Sequence, residues 1–265
     1  MSIQTGIDRI ITAVGAAYDA VEAKGGTAPA AQTIEGLAGA ISGIKSAPTT
    51  PYMVAEYEQV AITEYESASY IKKAKLYNHT KIAAFEFANQ PVLQELDTSD
   101  LSNNITIIDA SAFTRAWCEN VIIPETVTLI GNGAFSNATI GTMILPGNVT
   151  RISDFAFSDV LGVSNVEPVV KLNEGLSSIG INAFNYASIA GEMEIPSTVT
   201  KIGEYCFSAT GITTVICKPT TPPALGTGAF SSDTAGFTIK VPAASVAAYK
   251  AADGWKDYAN YIVAM

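Results

Sequence analysis

Ile195-Pro196-Ser197-Thr198-Val199-Thr200-Lys201-Ile202-Gly203-Glu204-Tyr205-Cys206-Phe207 repeats, in its pattern, an upstream stretch, Ile123-Pro124-Glu125-Thr126-Val127-Thr128-Leu129-Ile130-Gly131-Asn132-Gly133-Ala134-Phe135. Outward from these two, an aliphatic residue precedes a Phe by five positions seven times: Ile82/Phe87, Ile108/Phe113, Ile130/Phe135, Ile152/Phe157, Ile179/Phe184, Ile202/Phe207 and Leu225/Phe230. Self-similarity at a period of 22 to 27 residues predicts a stacked solenoid rather than a globule.

Further columns align on that pair. Three residues before the aliphatic position stand His79, Ile105, Val127, Val149, Leu176, Val199 and Pro222. A hydroxyl row follows it: Thr80, Thr106, Thr128, Thr150, Ser177 and Thr200, ended by Pro223. Before each Phe comes Glu86, Ala112, Ala134, Ala156, Ala183, Cys206 or Ala229, and all but Glu86 are small residues that give the ring room. Four coils finish an apolar strand on Pro124, Pro146, Pro196 or Pro242, which cannot donate a ladder hydrogen bond. Stacking equivalent residues at roughly 4.8 Å turns every apolar column into a ladder within one continuous core, the Phe ladder being its spine. Gly131, Gly180, Gly203 and Gly226, just after the aliphatic position, suggest a tight turn where a Cβ is costly.

The blocks 123–135 and 195–207 resemble the BspA-type leucine-rich repeat of bacterial surface and phage proteins, and several columns recur together over about residues 70 to 265. Thr221-Pro222-Pro223-Ala224-Leu225, Val241-Pro242, Tyr249-Lys250-Ala251-Ala252 and Gly254-Trp255 resemble the C-terminal cap of the same family. The resemblance implies a right-handed solenoid of about seven coils used for recognition or adhesion, with no reaction attached. Residues 158–173 lengthen one coil, and His79 and Glu86 break the apolar and small columns of the first.

The expected fold is therefore a mainly β solenoid over 81–242, with an N-terminal cap over 52–80 and a C-terminal cap over 243–265. Ahead of it lies an α-helical hairpin or coiled-coil module over 1–46, joined by a linker at 47–51. Ile3, Ile7, Ile10, Val14, Ala17 and Val21 form a heptad seam, and Ile34, Leu37, Ile41 and Ile44 repeat that spacing. Lys24-Gly25-Gly26-Thr27-Ala28-Pro29 separates the two helices. Short Ala-rich helices of this kind need a partner surface: they close on each other as a capping hairpin, or they self-associate around a symmetry axis, with a trimer favoured. The stretch 17–30 also resembles the N-terminal modules of phage tail-associated proteins.

Net charge is −10, with 48% apolar and 15% charged residues. A chain this acidic lacks the basic footprint of nucleic-acid binding. No run is long and apolar enough to suggest a membrane span. Cys118, Cys206 and Cys217 are odd in number and form no CxxC or Cys/His cluster, so neither a disulfide framework nor a zinc site is expected. The N-terminus does not read as a secretory signal, which favours a virion protein assembled in a host cytoplasm over an exported cell-surface adhesin.

Chemistry is sparse. His79 is the only histidine and falls in an inward column, so a Ser-His-Asp or Cys-His arrangement has one residue to draw on. Asp97-Thr98-Ser99-Asp100-Leu101-Ser102-Asn103-Asn104 is rich in oxygens but lacks the Gly and closing Glu of an EF-hand loop. No catalytic residue, cofactor site or metal site is expected. The one candidate binding feature is the hydroxyl row: if Thr106, Thr128, Thr150 and Thr200 face outward they form a stripe suited to glycans. The competing account is Thr-to-Thr support between stacked strands. Trp117, Asn137-Ala138-Thr139 and Asn185-Tyr186 are further candidate contact points. The functional expectation is a phage tail fibre or other host-recognition protein that docks on virion proteins through its helices and on a bacterial surface glycan or protein through its solenoid. A cellular adhesin and a virion scaffold without receptor are the alternatives.

Overall fold

Each aliphatic-to-Phe pair places its aliphatic residue second in a two-residue strand, and the seven strands stack in parallel. They are Lys81–Ile82, Ile107–Ile108, Leu129–Ile130, Arg151–Ile152, Ser178–Ile179, Lys201–Ile202 and Ala224–Leu225. Their register joins Ile82, Ile108, Ile130, Ile152, Ile179, Ile202 and Leu225 into one inward column. The computed structural model describes residues 51–61, 67–101, 103–118, 122–163, 169–230 and 236–265. The chain divides into two compact units, Met1–Pro51 and Tyr52–Met265, and every element described here belongs to the second. The heptad positions Ile3, Ile7, Ile10, Val14, Val21, Ile34, Leu37 and Ile41 lie outside the described residues, as do the hairpin and trimer readings built on them.

The Phe column is a continuous stack. Phe87, Phe113, Phe135, Phe157, Phe184, Phe207 and Phe230 follow one another with ring centroids 4.9 to 5.7 Å apart and planes within 11°. All seven are buried. Offset stacking of this kind adds about 0.5–1.5 kcal/mol per pair beyond the area buried. The small residue before each ring serves the backbone as well: the amide of Phe113 donates to the carbonyl of Ala134 at 2.7 Å, and that of Phe157 to Ala183 at 2.7 Å.

To carry the ring inward the chain bends on both sides of it. Residues two before and two after the Phe adopt left-handed backbone in coil after coil: Phe85 and Asn89, Ser111 and Arg115, Gly133 and Asn137, Phe155 and Asp159, Asn182 and Tyr186, Tyr205 and Ala209. An L-residue there costs roughly 1–2 kcal/mol. The return is an inter-coil hydrogen bond, as from Ser111 N to Asn132 O at 2.9 Å and from Phe155 N to Ile181 O at 2.9 Å.

The glycine column has a different cause from the expected tight turn. Gly131, Gly180, Gly203 and Gly226 do not take left-handed φ; a Cβ on any of them would lie within 2.8 Å of backbone in the preceding coil. Coil-to-coil contact, not turn geometry, excludes the side chain.

At the N-terminal end, β1 (Tyr52–Ala61) pairs antiparallel with β2 (Ser67–Tyr77), and β2 pairs in parallel with Glu95–Asp97. That last pairing adds a rung before the first aligned coil, giving about eight turns. The two departures in the first coil answer each other. His79 Nε2 meets Glu86 Oε1 at 3.1 Å, its Nδ1 lies 3.0 Å from the Tyr77 carbonyl, and Glu86 Oε2 accepts from Ala83 N at 2.6 Å. At the other end the helix α1 (Val246–Ala251) and Trp255 close the core. Trp255 Nε1 donates to Pro223 O at 2.7 Å, and the Tyr258 hydroxyl accepts from Phe230 N and donates to Phe230 O, both at 3.1 Å.

The lengthened coil is absorbed on one side only. The long ladder runs through it unbroken, Arg151 against Ser178. On the other side Val169–Lys171 pairs with Thr142–Ile144, while Ala190–Ile195, Gly211–Cys217, Thr238–Val241 and Ile262–Ala264 form a separate sheet. The expected strand before Pro124 is missing from the described part of that segment: Ile122 and Ile123 carry no strand and Ile122 is exposed.

Candidate functional site

With the inward columns consumed by packing, the outward columns of the long ladder are among the groups able to meet a partner. Register brings Thr80, Thr106, Thr128, Thr150, Ser177 and Thr200 into one file beside it, each amide donating to the carbonyl of the same column one coil earlier at 2.8–2.9 Å. Thr106 is half-buried; Thr128, Thr150 and Thr200 are exposed. The stripe therefore exists, but its hydroxyl hydrogens do not point at a ligand. Thr106 Oγ1 donates to Thr80 O at 3.4 Å, Thr128 to Thr106 O at 3.2 Å and Thr150 to Thr128 O at 3.2 Å. Ser177 Oγ donates to Thr150 O at 2.7 Å and Thr200 Oγ1 to Ser177 O at 3.1 Å. Each carbonyl thus receives two donors, which explains the preference for Thr as ladder support; outward, the hydroxyls offer only lone pairs.

The neighbouring column, one residue on, is the outward position of each strand: Lys81, Ile107, Leu129, Arg151, Ser178, Lys201 and Ala224. Its variability hid it from the repeat pattern. Lys81 is neutralised by Asp109, Nζ to Oδ2 at 2.8 Å, and that ammonium holds the Asp109 carboxyl below the ordinary carboxylate range. Arg151 and Lys201 line a cavity of about 360 Å³ on the ladder, with Ser178 on the rung between them and Gly180 and Gly203 also in the lining. Also unsignalled by the repeat are exposed aromatic side chains on left-handed backbone: Phe85, Phe155, Tyr186 and Tyr205.

The remaining polar groups make their contacts within the fold. Asp97 Oδ1 accepts from the Ser99 amide and hydroxyl at 2.9 and 2.6 Å, and Oδ2 pairs with Lys75 at 2.9 Å. Those bonds, the Ser99 hydroxyl first, lower its pKa to about 2. Asn103 Nδ2 donates to Leu76 O at 2.7 Å, which ties this oxygen-rich turn to β2. Among the described residues, no group of three His, Cys, Asp or Glu could hold a metal ion. Glu194 is paired with Lys218 at 2.7 Å. Burial raises the thiol pKa of Cys118 and Cys206, and pushes that of Cys217 to about 12. Trp117 stands half-buried in register with Thr139, and Ala138 is buried, which leaves Asn137 and Tyr186 as the exposed members of the tip candidates.

A sequence profile of the BspA type leucine rich repeat region matches residues 80–173 and 163–248, in six copies. A leucine-rich repeat protein from Bacteroides ovatus, of known crystal structure, aligns with 71% of this chain and 70% of its own at 12% identity, with a TM-score of 0.29. No curated protein matches the chain.

Proposed function

The chain belongs to the BspA-type leucine-rich-repeat family, and from that premise we propose that it is a non-enzymatic recognition protein whose solenoid adheres to a bacterial surface. The observation that carries this reading is the division of labour between columns. Inward residues and hydroxyl hydrogens are spent on stacking, while the outward column of the long ladder changes from coil to coil on an unchanging backbone. A rigid scaffold with variable outward positions suits binding without reorganisation.

The setting proposed is a phage tail fibre or related virion part, with the heptads of residues 3–44 assembling a trimer or docking on other virion proteins. Comparing the mass in solution of the full chain with that of a chain starting at Tyr52 tests the assembly: a trimer that falls to a monomer supports it, and a monomer in both refutes it. Family membership favours a second setting, the surface of a bacterial cell. Antibody against the solenoid separates the two, labelling phage particles in the first case and intact uninfected cells in the second. Adhesion itself is tested with the purified chain and whole bacteria; no retention on any candidate host sinks the recognition reading. Turnover of wall polysaccharide by the purified chain would overturn the non-enzymatic part.

A further inference from the structure

The outward column of the long ladder starts with a compensated charge and continues with two that are not. Lys81 pairs with Asp109, which stands four residues before the Phe of the following coil. The equivalent residue is Gly180 for Arg151 and Gly226 for Lys201, positions that close coil contact reserves for glycine. Among the described residues neither Arg151 nor Lys201 lies within ion-pair distance of a carboxylate, as is also true of Arg115, Lys171, Lys240 and Lys250, whereas Lys73, Lys75, Lys81, Lys218 and Lys256 all do. In a chain of net charge −10, two uncompensated cations stand two rungs apart, roughly 10 Å along the stack.

Between them lies the cavity of about 360 Å³, lined by Ser178 on the middle rung and by Gly180 and Gly203. Asp154 borders it, its Oδ1 held by the Ile181 amide at 2.8 Å. Directly before these residues in sequence stand Thr150, Ser177 and Thr200, whose hydrogens are committed to the ladder and whose lone pairs remain. The array thus alternates cations, which hold acid groups, with acceptors, which take hydroxyl hydrogens. Its lining runs across three successive rungs of the ladder, which fits an extended polymer rather than a compact metabolite. The described lining contains no aromatic ring on which a nucleobase could stack.

We propose that this groove binds an extended acidic glycan bearing a carboxylate on every second sugar, Arg151 and Lys201 each taking one carboxylate. The proposal rests on the recognition reading above and names its ligand. The test uses the full chain against immobilised hyaluronan, poly(glycerol phosphate), dextran and single-stranded DNA, together with whole-cell adhesion. The expected result is retention on hyaluronan that weakens with added salt. An R151A/K201A variant binds it at least roughly tenfold more weakly, while K81A, whose charge is already paired, binds as the unaltered chain does. Equal binding by R151A/K201A, or binding to dextran, DNA or poly(glycerol phosphate) as strong as to hyaluronan, overturns the assignment. Cells bound without hyaluronan bound would also overturn it, leaving recognition intact; hyaluronan bound without any cell bound would instead overturn recognition.

Discussion

Replacing Gly203 by Ala tests whether the glycine column exists because neighbouring coils touch. The added Cβ would lie 2.4 Å from the carbonyl carbon of Gly180, 2.5 Å from its oxygen and 2.5 Å from the amide nitrogen of Ile181. All three are backbone atoms, so no side chain can swing aside. Ordinary van der Waals contact begins at 3.4 Å, and the coils must therefore part by about 1 Å. Such a shift takes the bond from Gly203 N to Ile179 O, now 2.9 Å, beyond useful length, and strains its neighbour from Thr200 N to Ser177 O, also 2.9 Å. Overpacking costs about 1–3 kcal/mol and each lost backbone bond about 1 kcal/mol. The lower chain entropy of unfolded Ala returns about 0.4–1 kcal/mol.

The net expectation is a loss of about 2–4 kcal/mol, or roughly 5–15 °C in melting temperature for a unit of this size. Gly147→Ala is the control, because a Cβ there meets nothing within 4 Å and its change should stay within about 1 kcal/mol of zero. Urea unfolding followed by circular dichroism gives both numbers. If the two variants unfold within about 1 kcal/mol of each other, the coils are not in the contact argued here.

Three further outcomes are expected. Phe157→Ala removes a ring stacked at 5.2 Å on Phe135 and 5.1 Å on Phe184 and should cost about 3–5 kcal/mol in urea unfolding; a loss under about 1 kcal/mol would show that the spine carries little. Glu86→Ala strips the partner from a histidine that is 6% exposed and should cost about 1–3 kcal/mol, whereas H79V/E86A, which installs the residues of other coils, should recover most of it. A double variant no more stable than the single one contradicts that pairing. Asp97 has its pKa lowered from 3.8 to about 2 by Ser99 and Lys75. Its contribution is therefore complete above the unfolded value and is lost as pH falls from 3.8 toward 2. Asp97→Asn should flatten acid unfolding in that window, and superimposable acid profiles would refute the account.

The inward half of this molecule was legible because parallel stacking forces equivalent residues to meet their own copies. An Ile five residues before a Phe is uninformative once and decisive when it recurs in register. The left-handed positions were hidden for the opposite reason. Backbone demand is constant two residues either side of the Phe, yet its occupants run from Gly133 and Asn182 to Phe155 and Tyr186, so no residue type marks the column. His79 and Glu86 each break a column, and that both fall in one coil was the available sign that they compensate each other. The extra length at 158–173 could be placed in a coil but not on a side, because only strand pairing reveals which ladder breaks.

Legibility and function are opposed here for a physical reason. A column that the fold constrains repeats, and a column that repeats has had its chemistry assigned to stacking: the Thr hydroxyls were conspicuous because the ladder uses their hydrogens. Outward positions such as Arg151, Ser178 and Lys201 sit on the same backbone as Ile107 and Leu129, so the fold accepts aliphatic, hydroxyl and cationic side chains there alike. What distinguishes these two ladder cations from Lys81 is a glycine in the next coil that cannot become the aspartate that Lys81 finds. Close packing of the coils thereby withholds the internal counter-charge and leaves these two positions available to an external one.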